Sequence, residues 1–409
     1  MGKRIIFISY CYPPIKAPRS VQVSRLVKHL AVDLDIVCCG ENVNGQTVVD
    51  TEVLGNGEQV RIHRVGRSKV TRIKERVLGK FFPKYLSKPD IHVCWAQEVV
   101  RYIVEKKLLS PEDILVTFSQ PLSDHFIGYK LKQKIGCDWI MHFSDPWTQN
   151  PFMKFPDDAV LNWHKRKEEA FFKIADKIIF TSDEARDISL SNLNASIKDK
   201  AYSLPHILPD AIDCVSEEVT QRSIARYIGN FYGHRTPEPL FNAIEIMAAK
   251  NLEILKMWKF ELYGNFEHMD VSPQTLYDKY PLASSYIEFK EEVSTKASLE
   301  LMVKSNLLLI IDASASLSVF LPSKLIDYLG AGRPIFGITP KGTAANLIMQ
   351  LGGRVADPSH AVEIANELEK VLEECKDWDR RNIWGDLSVR AKFKGENVAK
   401  RFKEITNIS

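Results

Sequence analysis

Apolar and polar positions alternate in blocks along this chain. It opens with KRIIFISY, Lys3–Tyr10, whose consecutive apolar positions suit a strand buried on both faces of a parallel sheet. The loop YPPIKAPR follows. Ser20 then stands where a helix N-cap is expected, and Val23, Leu26, Val27 and Leu30 fall at i, i+3, i+4 and i+7 on one helical face. DLDIVCC, from Asp33, resumes a strand pattern. Strand, loop, helix and strand in this order open a doubly wound sheet. DILVTFS (Asp113–Ser119), DWIMHFS (Asp138–Ser144) and DKIIFTS (Asp176–Ser182) each read as an apolar strand ending in polar residues. Ligands of open α/β sheets sit beyond the carboxyl ends of the strands, which directs Ser119, Ser144, Asp145 and Ser182 toward one cleft.

The pattern changes at LPHILPDAIDCVSEE, Leu204–Glu218, where prolines and acidic residues mark a domain boundary. A second α/β series follows, with strands expected at Arg226–Asn230, Lys259–Gly264, Tyr286–Phe289, Asn306–Asp312 and Arg333–Thr339. Helical patterns lie between them, as at Pro239–Ala249 and Ala361–Leu372. The segment from Leu387 to Ile408 is polar and helical in pattern. The expected organisation is an N-terminal Rossmann-like domain over 1–208, a C-terminal one over 209–386 and a final helix over 387–409.

Length agrees with two domains, since 409 residues exceed what one core usually holds. A hydrophobic content of 45% and a charged content of 26% are those of a soluble globular enzyme. The net charge of +3 is too small to argue for a nucleic-acid partner. Seven cysteines without a Cys-x-x-Cys pair point to reduced thiols in the cytoplasm, and away from a disulfide framework or zinc site. No apolar run approaches the length of a transmembrane helix.

The stretch FLPSKLIDYLGAGRPI, Phe320–Ile335, carries the most pointed chemistry. A helix starting near Pro322 presents N–H groups and a partial positive charge. Lys324 adds a full charge in the first turn, where the helix dipole disfavours it unless an anion such as phosphate is the partner. Asp327, three residues on, shares that face and offers two acceptor oxygens, as a ribose diol requires. The plainer alternative is an exposed i,i+3 salt bridge.

Several stretches together resemble a known family. FISYCYPPIKAPRSVQVSRLVKHL, TFSQPLSDHFIGYKLKQKIGCDWIMHFSDPWTQNPF, ADKIIFTSDEARD, YIGNFYGHRTPEPL and the Lys324 stretch occur in the order and spacing of the retaining glycosyltransferases of glycosyltransferase family 4. The resemblance covers nearly the whole chain. It implies the GT-B fold: two Rossmann-like doubly wound α/β domains facing across a cleft, with the last helix crossing back to the N-terminal domain. It implies transfer of a sugar, with retention, from a nucleotide-diphosphate sugar such as a UDP- or GDP-sugar. The donor would lie on the C-terminal domain and a glycan or lipid-linked acceptor on the N-terminal one. No metal or other cofactor is expected, with protein cations and helix N-termini stabilising the leaving diphosphate. The pattern places a glutamate on the ribose at the position of Asp327. It places another upstream, with seven residues between the two, where this chain has Val319. A backbone group near Val319–Leu321 would then replace that carboxylate.

Other candidates join this set. In GNFYGHR, Gly229 and Gly233 let backbone approach a ligand, Asn230 stands where relatives often carry a second cation, and Arg235 reads as a diphosphate clamp. The donor set is completed by Leu321 and Ser323 at the helix start, and by Gly264 and Val293 at a nucleotide-base pocket. In HFSDPW, Asp145 orients the acceptor hydroxyl or stabilises positive charge on the sugar ring; the alternative is a turn aspartate before Pro146. His125 and His142 stand as acid–base candidates, although a lone histidine near a strand is more often structural. Lys16, Arg19 and Ser119 line the acceptor side, with a solvated basic loop as the competing reading for Lys16 and Arg19. RVGRSKVTRIKERVLGKFFPKYLSK (Arg64–Lys88) carries nine basic residues against one acidic, interleaved with aromatics and aliphatics. That composition suits the surface of an anionic membrane, with a solvated basic face as the alternative. The expected role is surface polysaccharide or glycoconjugate assembly at the cytoplasmic membrane face. A sugar-nucleotide epimerase and an inactive binding subunit of the same fold are the alternatives.

Overall fold

The computed structural model describes residues 3–40, 47–54, 57–210, 222–231, 235–267, 269–376, 378–379 and 381–408. The chain divides into two compact units, one of Met1–Ile207 with Gly395–Ser409 and one of Leu208–Lys394.

Among the described residues the first unit holds eight strands: β1 Ile5–Ile8, β2 Leu34–Cys39, β3 Thr47–Val53, β4 Gln59–Val65, β5 Ile114–Phe118, β6 Asp138–Phe143, β7 Lys177–Phe180 and β8 Ala201–Ser203. They form one sheet in the order β3-β4-β2-β1-β5-β6-β7-β8. All neighbours are parallel except β3 and β4. Helices α1 (Pro18–Leu30), α2 (Lys69–Phe81), α3 (Val93–Glu105), α4 (Ser123–Ile135) and α5 (Asp158–Ile174) connect them, with shorter helices later in the unit. The apolar runs are buried on both faces because successive side chains point opposite ways. Ile6, Ile8, Leu115 and Met141 enter one core, while Ile5, Phe7, Val116 and Ile140 enter the other.

The chain's last helix, Gly395–Thr406, belongs to this unit. Its Val398, Phe402 and Ile405 are buried beside Phe7, whose ring lies 4.9 Å from Phe118 and 6.0 Å from Phe402. The segment from 387 does not behave as one element. Helix Leu387–Ala391 stays with the second unit, where Val389 and Phe393 are buried and Leu208 N–H donates to Phe393 O at 3.0 Å. The N-cap of α1 also differs from expectation. Ala17 occupies it with Pro18 first inside, and Ser20 is buried in the first turn. Proline pre-sets the φ that a first helical residue needs, so the helix starts earlier than Ser20 suggests.

The second unit holds β9 Ser223–Ile228, β10 Trp258–Tyr263, β11 Ile287–Lys290, β12 Leu307–Ile311, β13 Ile335–Ile338 and β14 Arg354–Ala356. They form an all-parallel sheet in the order β11-β10-β9-β12-β13-β14.

Both sheets wind outward from a central strand and then return to its other side. The reversal falls between β1 and β5 in the first unit and between β9 and β12 in the second. At such a switch point the connections leave in opposite directions and open a crevice at the carboxyl ends of the strands.

Candidate functional site

In the second unit the switch point gathers a cation pair around one carboxylate. Asp312 directly follows β12, where its N–H donates to Ile338 O at 2.9 Å. Its Oδ1 accepts from Arg235 Nη2 at 2.8 Å and its Oδ2 from Thr339 Oγ1 at 2.9 Å. Lys324 stands in the first turn of helix Ser323–Ala331, which Pro322 caps by position. Its Nζ donates to the Tyr227 hydroxyl and lies 3.9 Å from the centroid of that ring. The residue is half-buried, while the ammonium at its tip is packed against this ring. Burial first, and then the Arg235 charge, hold the Lys324 ammonium well below the usual lysine range, with Asp312 opposing both. An arginine and a lysine beside a helix N-terminus, with Lys324 held low until a negative charge arrives, favour an anion.

The glycines explain how these groups come together. Gly229, just past β9, has φ +147°, and a Cβ there would lie 2.6 Å from Lys324 Nζ. Gly264, just past β10, has φ +156°, and its Cβ would lie 2.3 Å from Gly229 O. Two strand ends and a lysine thus share a space that side chains would fill. Asn230 supports this floor through its Oδ1, which accepts from Asn265 N–H at 2.9 Å.

Gly264 also borders a cavity of about 600 Å³, lined by Phe266, Met269, Phe289, Lys290 and Glu292 among others. Tyr227, Phe231, Phe266 and Phe289 form a continuous aromatic row, with successive centroids 4.2, 6.1 and 4.8 Å apart. The row runs from the ring under Lys324 to the cavity wall. Asp327 and Ser323 are half-buried on the same helix, and Leu321 is buried before it. Val293 is half-buried in the loop after β11, one residue past the cavity lining at Glu292. Gly233 lies outside the described residues.

The first unit's switch point is built differently. Arg19, in the first turn of α1, is buried, and its Nη2 donates to Ser144 Oγ at 2.5 Å. Burial lowers its guanidinium to about 10, against the opposing charges of Asp145 and Asp124. Burial raises the Asp145 carboxyl while Arg19 pulls it down. Asp124 is fully buried, accepts from Tyr10 N–H through Oδ2 at 2.8 Å, and is pushed far up by desolvation. Burial drives His142 well below the usual histidine range and His206 to about 3, so both imidazoles are neutral. Arg19, His142 and His206 line a cavity of about 20 Å³, room for one water. Among the described residues, Arg19 Nη1, Asp124 Oδ1 and His142 Nδ1 are buried without a hydrogen-bond partner.

The loop bearing Asp145 is held from below. Trp147 Nε1 donates to His164 Nδ1 at 3.0 Å, and the Thr148 N–H donates to Glu168 at 3.2 Å. Burial raises Glu168 to about 7.

The other residues expected in the cleft have different surroundings. His125 is fully enclosed, with Nδ1 2.7 Å from Thr117 Oγ1 and its ring against Phe143, a core histidine with a strongly lowered pKa from burial. Ser119 is buried at the end of β5. The Ser182 hydroxyl accepts from Ala185 N–H and so serves as the N-cap of helix Asp183–Leu190. Lys16 is exposed. Sequence reasoning missed Asp312, Tyr227, Asp124 and His206 as site residues. The signal for Asp312 was a carboxylate directly ending an apolar strand, whereas Tyr227 carried none, because an aromatic inside a strand reads as core.

Among the described residues no group of three or more His, Cys, Asp and Glu is placed to hold a metal ion. No disulfide joins the described cysteines, from Cys11 to Cys375, to one another, and Cys214 lies outside the described residues. No helix among them is long and apolar enough to cross a membrane.

Two doubly wound domains, each with its polar groups at the switch point, are those of the GT-B fold. Comparison with solved structures gives full-length matches. The chain is similar to OtsA in its apo form, with 13% identity, 100% of both chains covered and a TM-score of 0.68. It is also similar to an E. coli trehalose-6-phosphate protein bound with UDP-2-fluoro glucose, with 13% identity, 100% of both chains covered and a TM-score of 0.66. Sucrose-phosphate synthase from Thermosynechococcus elongatus matches at 14% identity over 99% of this chain and 98% of that one, with a TM-score of 0.66. At such identities the likeness speaks for the fold. No family model matches the sequence. No curated protein sequence matches it either.

Proposed function

We propose that this protein is a retaining glycosyltransferase of the family 4 type, moving a sugar from a nucleotide-diphosphate donor to a glycan or lipid-linked acceptor in surface polysaccharide or glycoconjugate assembly. The reading places it in the cytoplasm. The observation that carries it is the aromatic row joining the Lys324–Arg235 cation pair to a 600 Å³ cavity. A nucleoside diphosphate has that composition, an anionic diphosphate joined to a planar base. Support also comes from a structural neighbour bound with UDP-2-fluoro glucose.

In this reading Arg235 and Lys324 hold the diphosphate, and Lys324 takes up negative charge as the leaving group departs. Its depressed pKa then rises on binding, because a phosphate offsets the burial and the neighbouring arginine. Asp327 accepts from the ribose diol. Gly264 and Val293 border the base. Ser323 and the backbone near Leu321 lie where Val319 provides no carboxylate, and they hold the donor sugar. Asp145, held near Arg19, orients the acceptor hydroxyl or stabilises positive charge on the sugar ring. No metal takes part in this scheme.

A thermal-shift titration with UDP, GDP, CMP and dTDP tests the donor site. At least one nucleotide is expected to stabilise the protein, since a ligand that binds only the folded state raises its stability. That effect is lost in Lys324→Ala and Arg235→Ala. A protein indifferent to all four nucleotides would overturn the reading. Release of free nucleotide from a bound nucleotide-sugar when acceptor is added then separates a transferase from a binding protein.

A further inference from the structure

Helix α2 is turned inside out. Of its thirteen residues only Thr71 is buried. Val70, Ile73, Val77 and Phe81 recur at intervals of three, four and four, which places them on one stripe, and all four are exposed. Phe82 and Tyr85 continue the exposed apolar surface beyond the helix end. Val70 is 75% exposed and Phe82 63%, values usual for lysines. The opposite face is tied down. Glu98 of α3 accepts from Ser68 N–H at 3.2 Å, from Ser68 Oγ at 2.6 Å and from Thr71 Oγ1. Glu75 pairs with Arg67 at 3.0 Å, and at the edge of the stripe Lys74 Nζ donates to Gln97 at 2.8 Å. The outward apolar stripe is therefore fixed by its anchors, not by fraying.

Exposed basic residues border that stripe. Lys69, Arg76 and Lys80 fall one helical step to one side and Lys74 to the other, all exposed. Lys80 Nζ sits 5.2 Å from the Phe81 ring centroid, its stem lying along apolar surface with the charge at the edge. A second copy of this chain is a poor occupant, because a two-fold contact would set two cationic surfaces against each other. A nucleic acid would bring phosphates against Phe81 and Phe82.

We infer that α2 and the residues through Tyr85 form a docking surface for an anionic lipid bilayer. The apolar stripe enters the acyl boundary while the flanking cations meet the headgroups. The location suits this. α2 begins directly after β4, so it leaves from the same carboxyl edge of the parallel sheet that carries Ser144 and Asp145. Arg67, just before it, donates to the Tyr10 hydroxyl at 3.1 Å beside β1. A bilayer on α2 would lie along the edge where the first unit presents its polar site. Docking deepens the lipid-linked acceptor reading but does not depend on sugar transfer.

The test is flotation of the full chain with vesicles of equal parts phosphatidylglycerol and phosphatidylcholine, and with phosphatidylcholine alone. Binding to the anionic vesicles that weakens with salt is expected, and little binding to neutral ones. Phe81→Ser with Phe82→Ser should weaken binding about tenfold or more. Each of Lys69→Ala, Arg76→Ala and Lys80→Ala should weaken it about fivefold. These side chains are exposed, so the variants should keep the parent's melting temperature. Hydrogen exchange over 69–85 in the unmodified protein should slow when anionic vesicles are added, a readout needing no variant. Lys324→Ala should float like the parent, so a failed donor site leaves this result intact. Absence of anionic-vesicle binding, equal binding to neutral vesicles, or a soluble dimer abolished by the Phe81 and Phe82 changes would each overturn the proposal.

Discussion

The two switch points of this protein occupy equivalent places in equivalent sheets and solve opposite electrostatic problems. Around β9 and β12, Arg235 pairs with Asp312 and Lys324 packs on Tyr227, beside a helix N-terminus and a large open cavity. Around β1 and β5, one buried cation, Arg19, faces Asp124 and Asp145 with two neutral histidines, about a space that holds one water. The first arrangement sets two basic side chains at a helix N-terminus and suits an anion. The second is balanced and suits hydroxyl groups. Fold position decides where a site can be, and local charge decides what it takes.

The sharpest way to break this contrast is Asp145→Asn. If the two sites divide the work as proposed, transfer should fall by about a hundredfold to ten-thousandfold while nucleotide binding stays at the parent level. Steady-state rates and a nucleotide titration on the same sample measure both. Equal losses in the two would mean that the first unit is not the acceptor side. Next in size, Lys324→Ala and Arg235→Ala should each weaken nucleoside-diphosphate binding by roughly tenfold to a hundredfold, as expected for a lost charge-assisted hydrogen bond. Calorimetry should show the nucleoside monophosphate less affected than the diphosphate.

The neutral histidines give a third test. His206 titrates near about 3 when folded against 6.5 for an ordinary histidine. Below about pH 6.5 the unfolded chain gains a proton that the folded one refuses, so stability falls as pH falls through that window. Replacing His206 with Asn removes this contribution. Between about pH 6.5 and about 5 the variant should lose about 2 kcal/mol less than the parent, read from urea unfolding of the first unit. An unchanged pH slope would mean His206 is not buried neutral. The smallest effect is expected from Thr339→Val, which deletes one hydrogen bond to Asp312. It should cost about 1 kcal/mol of stability in the second unit and leave the first unit's transition unmoved.

Much of the architecture was legible because parallel strands are buried on both faces and so write unbroken apolar runs. β1, β2, β5, β6, β7 and β9 to β13 all fall within a few residues of their expected places. The hairpin β3–β4 was not read. β3 lies at the sheet edge with no buried residue, so nothing in TVVDTEV had to be apolar for a core. The site was legible where chemistry departs from packing. Lys324 in a first helical turn and Arg235 after a glycine loop both reach the switch point with Asp312. His125 misled because a histidine beside a strand looks the same in sequence whether its ring faces solvent or, as here, Thr117 and Phe143.

By itself the sequence determined the two doubly wound sheets, since hydrophobic periodicity is local and each run carries its own record of burial. It also determined that α2 is amphipathic and basic. Only the tertiary structure decided which way that helix faces, because the anchors at Glu98, Arg67 and Gln97 lie on other segments. The same holds for the charge state of each site. A lysine's pKa or a histidine's neutrality depends on what surrounds it, and Tyr227, Arg235 and Asp312 reach Lys324 from strands and loops far away in the chain.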